Sequence, residues 1–182
     1  AFCPGLNREI ATLDLFERAS TVSGLTSVDL NYPDHINGLS ERDITDKLAS
    51  LNMQLNGYAM RYYTESGFKL GAFTNPEPSV RRAAIDLTKR GLDSLAAAGG
   101  NLMTLWLGQD GFDYSFQTDY LKLWNDTVSA IIEVADHNPS IDISIEYKPN
   151  EPRSFSLMPD AATTLLAIKD INRPNTGVTL DF

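Results

Sequence analysis

Cysteine, histidine and positive charge are all scarce in this chain of 182 residues. The single Cys3 excludes an internal disulfide and fits a reducing, cytoplasmic compartment. Its ordinary place is as a small buried side chain. His35 and His137 are the only imidazoles. Lys and Arg number 15 against 24 Asp and Glu, a net charge of −9. That argues against the basic footprint with which proteins hold nucleic acid. Acidity serves solubility, and it also suits a site that concentrates divalent cations. No apolar run approaches the ~18 residues that a membrane span needs. No basic stretch followed by an apolar one marks a signal peptide, so no membrane partner is expected. Linkers, low-complexity runs and short repeats are missing too, which leaves one domain over residues 1–182.

What is present is an ordinary apolar share, 42%, and a recurring strand-then-helix pattern. Residues 1–3 read as the end of a first strand. Leu13, Phe16, Ala19 and Val22 have helical spacing, with Gly24 at the end. A second strand covers 27–32, stopped by Pro33. Ser40 and Asp43 form a capping arrangement for a helix with Ile44, Leu48 and Leu51 on one face. Residues 55–63 read as strand three. Pro76 and Pro78 open a helix that ends near Gly99 and Gly100. Residues 102–107 are a nearly all-apolar fourth strand, the mark of one covered on both sides. A helix follows over 120–135, a fifth strand over 141–147, a helix through Ile171, and a sixth strand over 177–182. Such alternation gives a parallel α/β sheet. The first strand carries no Gly-rich dinucleotide fingerprint. Repeats of ~30 residues with polar groups at several strand ends favour a (β/α)8 TIM barrel, of which this chain covers about six strands.

The fifth strand organises the chemistry. Side chains alternate along it, so Ser144, Glu146 and Lys148 share one face and Ile143, Ile145 and Tyr147 the other. Pro149 and Pro152 then stiffen a loop bearing Asn150, Glu151 and Arg153. A carboxylate and an ammonium converging at a strand's C-terminal end serve either an active site or a surface salt bridge beside a turn. Trp106 shares a face with Thr104 at the end of strand four, where core packing and a site wall are both open to it. Asp181 points inward at the end of strand six, as a metal ligand or a helix cap.

Glu146-Tyr147-Lys148-Pro149-Asn150-Glu151-Pro152-Arg153 resembles the E-x-K-P-N-E-P-R motif of the xylose isomerase family. Phe68-Lys69-Leu70-Gly71-Ala72-Phe73-Thr74 with Val80-Arg81-Arg82-Ala83 is similar to that family's F-K-x-G-x-F-T…V-R-R segment. Trp106-Leu107-Gly108-Gln109-Asp110-Gly111 is similar to W-G-G-R-E-G. The three blocks keep the family's order and rough spacing. The resemblance implies that Glu146, Asp181 and Glu151 are metal residues, for Mg²⁺ or Mn²⁺ with Co²⁺ also admissible, since hard divalent ions prefer carboxylate oxygens. It implies that Lys148 bonds a substrate oxygen and stabilises negative charge developing on it. Trp106, Tyr63 and Asn150 become the substrate-binding set, the aromatics keeping water from the reacting carbons.

There are departures from the family pattern. Asn31 stands where the family has a histidine, with Asp34 at the position that orients it. Asn can only hydrogen-bond and cannot take a proton near neutral pH. His35, one place beyond Asp34, reads as an exposed loop residue that could substitute. Gln109 replaces an arginine. Asp181 stands where Glu is usual, as in the rhamnose isomerase relatives. Repair nucleases of the same superfamily use several His ligands, which two histidines do not provide. The implied activity is a metal-dependent isomerase that interconverts an aldose and a ketose, acts on a monosaccharide and forms a homo-oligomer. A ketose 3-epimerase or rhamnose-type isomerase is the neighbouring reading. A non-catalytic fragment or carbohydrate-binding protein on the same scaffold is the alternative of another class. A chain ending at strand six is expected to be a fragment, inactive alone.

Overall fold

The computed structural model describes residues 10–180. The expected first strand at 1–3, and Asp181 with Phe182, lie outside the described residues. The elements are α1 (Thr12–Ser20), β1 (Ser27–Tyr32), α2 (Glu41–Ser50), β2 (Gln54–Met60), α3 (Pro78–Ala97), β3 (Leu102–Trp106) and β4 (Gly111–Phe112). They continue with α4 (Tyr120–His137), β5 (Asp142–Glu146), β6 (Phe155–Ser156), α5 (Ala161–Ile171) and β7 (Thr176–Thr179). Five strands form one parallel sheet in the order β1-β2-β3-β5-β7. Each strand lies beside the next main strand in sequence, with a helix between, as in part of a TIM barrel. β4 and β6 pair separately as a short antiparallel ribbon.

Local chemistry starts the helices where the sequence indicates. The Ser40 hydroxyl accepts the Asp43 N–H at 3.1 Å, and the Asp43 carboxylate accepts the Ser40 N–H at 2.8 Å. That reciprocal pair satisfies two otherwise orphaned groups of α2. Asp119 caps α4 by accepting the Lys122 N–H, and Asp160 caps α5 by accepting the Thr163 N–H. Pro78 sits in the first turn of α3, where its missing N–H costs nothing.

The core lies between the sheet and these helices. Leu30, Tyr58, Met60, Met103, Leu105, Ile143 and Ile145 meet Phe16, Ile44, Leu48, Leu92, Leu95, Ile131, Val134 and Ile171. The fourth expected strand is corrected here. In β3, Met103 and Leu105 are fully buried, but Leu102, Thr104 and Trp106 are only half-buried. The strand is tightly packed on its helical side and looser on the other. Gly57 permits a close crossing, because a side chain there would place its Cβ 2.2 Å from the Leu102 carbonyl.

Strand three is shorter than expected. It stops at Met60, and Tyr62–Thr64 form a 3₁₀ turn. Tyr62 dives into the helical layer, with Phe68 and Phe73 edge-on at 5.9 and 5.6 Å and its hydroxyl 2.6 Å from Thr88. Two adjacent tyrosines would alternate faces in a continuing strand. The turn buries the first and frees the second. β5 and β7 are shorter than expected as well, and α4 runs two residues further, to His137.

Candidate active site

Register brings the ends of three strands level. Trp106 of β3 pairs with Glu146 of β5, and Glu146 pairs with Thr179 of β7. Their face is the one away from the helices, shared with Thr104 and Ser144; the Ser144 and Thr179 hydroxyls hydrogen-bond to each other across it. Glu146 is half-buried. Lys148, two residues on, lays its ammonium over the Trp106 ring, 5.1 Å from the centroid. The turn after β2 brings Tyr63 edge-on to Trp106, with centroids 5.2 Å apart at 77°. Four of the expected site residues therefore meet at one place: Tyr63, Trp106, Glu146 and Lys148.

Glu151 lies at ion-pair distance from Lys148, at 3.6 Å. The Glu151 side chain is 80% exposed, so water screens that pair heavily. Arg153 pairs with Asp113 at 3.0 Å, and its own side chain is buried. Arg153 and the backbone N–H of Ser154 together hold the Asp113 carboxyl below its usual range, the N–H contributing most. Asn150 is exposed at the tip of the same loop.

Asn31 sits at the end of β1, in register with Ala59. Its neighbour is His35, which is half-buried rather than exposed as expected. The Asn31 backbone N–H donates to His35 Nδ1 at 3.2 Å, and the Asn31 amide lies 3.2 Å from Nε2. Nδ1 must then be unprotonated. Burial first, and then the nearby Arg61 charge, lower the His35 pKa from its ordinary value. Asp34 is exposed and accepts a hydrogen bond from the Thr64 hydroxyl at 3.3 Å.

Three residues of this region were not singled out from sequence. Arg61 follows β2 and lies over the Tyr63 ring at 5.2 Å, with Nη1 donating to the Tyr63 hydroxyl. Gly108 backs the tryptophan; a Cβ there would come 2.3 Å from the Trp106 Cη2 atom. Asp110 is completely buried and accepts from the Ala72 N–H at 3.2 Å, the Thr74 N–H at 2.6 Å and the Thr74 hydroxyl at 2.9 Å. Two of the motif blocks thus hold each other. Burial raises the Asp110 pKa, and the donors from the loop oppose that. The signal for Gly108 and Asp110 was their place inside W-L-G-Q-D-G; for Arg61 there was none.

Among the described residues, no group of three His, Cys, Asp or Glu is gathered to hold a metal ion. Glu146 supplies one hard oxygen donor of the kind Mg²⁺ and Mn²⁺ take. Its proposed companion Asp181 lies outside the described residues, and Glu151 is turned to solvent.

No protein-family model matches the chain. A xylose isomerase from Paraburkholderia phytofirmans is 30% identical over 128 residues, which is 66% of this chain and 29% of that protein. A xylose isomerase from Thermus thermophilus is 28% identical over 116 residues, 62% of this chain and 30% of that protein. In sequence the chain is similar to xylose isomerases, and its fold is that of the xylose isomerase-like barrels. It spans under a third of the length of these two relatives. Crystal structures of other proteins show the same fold. D-psicose 3-epimerase in the presence of D-fructose superposes with a TM-score of 0.73 at 20% identity, over 93% of this chain and 57% of that one. An AP endonuclease of family 2 from Brucella melitensis gives 0.74 at 17%, over 97% and 65%. The IOLI protein with a bound zinc atom gives 0.71 at 14%, over 93% and 57%. At such identities the likeness shows the shared barrel architecture alone. Among the described residues, no helix is long and apolar enough to cross a membrane.

Proposed function

We propose that the protein carrying this chain is a sugar isomerase that interconverts an aldose and a ketose. The observation that supports this most directly is the meeting of Lys148, Trp106, Tyr63 and Glu146 at the C-terminal ends of parallel strands. That is the end of a TIM barrel where catalysis resides. Tyr63 and Trp106 form an apolar wall for the carbon skeleton and exclude water from it. Lys148 donates to a substrate oxygen and stabilises charge that grows there. His35, held neutral by burial and Arg61, is the group beside Asn31 that can take a proton during ring opening. Glu146 with Asp181 would hold a divalent ion, Mg²⁺ or Mn²⁺, with Glu151 nearby; such an ion supplies Lewis-acid polarisation of the carbonyl.

A ketose 3-epimerase is the second reading, since such chemistry is carried on the same barrel fold by D-psicose 3-epimerase. The two separate by isotope. Full-length protein with Mn²⁺ should be given a panel of aldoses and ketoses in deuterated water, with product followed by NMR. Aldose–ketose conversion with little deuterium uptake supports a hydride shift in an isomerase. Inversion at one carbon with full uptake supports proton transfer in an epimerase. Sugar binding without turnover in either direction leaves a carbohydrate-binding protein and sinks the enzymatic reading.

A further inference from the structure

Arg61 has so far only the part of lowering the His35 pKa, and its own hydrogen-bonding capacity is largely unused. It follows directly on Met60, a residue buried in the helical layer. Its guanidinium comes out on the other side, against Tyr63 and near His35. Among the described residues it has no carboxylate within ion-pair distance: Asp34 is engaged by Thr64, and Glu151 by Lys148. Its Nε is buried without any hydrogen-bond partner. An unfilled charged donor of this kind is costly, and proteins keep few of them. Among the described residues its guanidinium meets the tyrosine, by one hydroxyl and the ring face. A guanidinium is suited to a planar, two-toothed grip on carboxylate or phosphate, which this partner does not use.

The aromatic pair is thus overlaid by two cations, Arg61 on Tyr63 and Lys148 on Trp106. In the proposed mechanism Lys148 serves the reacting oxygen. Beyond its effect on His35, a second positive charge on the same wall has no contact to make with a neutral sugar that calls for a guanidinium. We propose that Arg61 is a specificity-determining residue that receives an anionic group, carboxylate or phosphate, on the substrate. The substrate class is then a sugar acid or a sugar phosphate rather than a neutral pentose. This rests on the isomerase reading only for where the sugar lies.

The test is calorimetric titration of the full-length protein with D-glucose, D-glucuronate and D-glucose 6-phosphate. At least one anion should bind about tenfold more tightly than glucose, a ratio typical of one charge-assisted contact. Preference for glucuronate alone identifies the carboxylate, and preference for the phosphate alone identifies the phosphoryl group. Arg61→Met should collapse the ratio to near one, and Arg61→Lys should restore part of it. Should Arg61→Met fail to fold, the wild-type ratio read against salt decides instead, because it must fall as salt rises. No preference for either anion over glucose overturns the proposal. So does a ratio unchanged in a folded Arg61→Met, or one indifferent to salt. Turnover has no part in this readout, so a failed isomerase assay leaves the ratio standing. A neutral-sugar isomerase indifferent to Arg61 would remove this inference and leave the isomerase.

Discussion

Asp110 and Glu146 both lie in blocks that resemble xylose isomerase motifs, yet they live in opposite surroundings. Asp110 is wholly buried, and its oxygens are filled by the Ala72–Thr74 loop. Glu146 is half-buried at a strand end, beside an ammonium whose ion-pair partner is 80% exposed. The first carboxylate spends its hydrogen bonds on the chain itself. The second stands where a ligand can reach it. A motif resemblance therefore does not mean a like setting: one of these carboxylates is filled by the chain's own donors, and the other is half-buried at a strand end.

The sharpest way to break that contrast is Asp110→Ala. It strands three buried donors at once, so unfolding free energy should drop by about 3–5 kcal/mol. Urea unfolding followed by circular dichroism measures it. A loss below about 1 kcal/mol would mean the loop repacks freely, and the clamp would not be structural. Lys148→Met is the mirror experiment. Its stability should hardly move, since Met keeps the bulk of the stem. Its kcat on the best sugar should fall ~10²–10³-fold, as for other positioned charge donors. A near-normal kcat would return Lys148 to the role of a surface ion pair.

Gly108→Ala tests the boundary between the two regions. The new methyl would meet the Trp106 ring and push it from the wall. About a tenfold fall in kcat/KM is expected from displaced substrate contacts, with a melting temperature close to wild type. The smallest effect belongs to the helical surface. Glu133 accepts from Arg82 at 2.9 Å and Lys89 at 2.6 Å, and these bonds hold its pKa down from about 4.5 to about 2. A depressed folded pKa stabilises above the unfolded value and is lost as pH falls through the folded one. The contribution should therefore be full above pH 4.5 and disappear toward pH 2. With its side chain 40% exposed, solvent reduces it to at most ~1 kcal/mol. Glu133→Gln should flatten the pH dependence of unfolding across that window; an unchanged slope would assign the window to another carboxylate.

Much of the frame was legible along the chain because it depends on neighbours in sequence. The Ser40–Asp43 box, Pro78 in the first turn of α3, and the placing of Ile143 and Ile145 on the core side of β5 all arise within a few residues. Alternation likewise put Glu146 and Lys148 on one side of their strand. Contacts between distant segments were not legible. Nothing local says that β2 ends at Met60; Tyr62 leaves the strand because Phe68, Phe73 and Thr88 bury it. Nor does the loop sequence say that Arg153 takes Asp113 and Lys148 takes Glu151. His35 was placed at the surface because turns usually are, and its burial against Asn31 depends on how the chain folds back after Pro33. Periodicity fixes which side of an element a residue occupies, since backbone geometry sets it residue by residue. Pairing at a strand end depends on register and on which loops cross there, and only the assembled sheet determines that. So sequence alone determined the parallel α/β architecture and the residue types at the C-terminal ends of its strands, while the tertiary structure decided that Asp110 belongs to the scaffold and that Arg61 lies on Tyr63, which in turn meets Trp106 under Lys148.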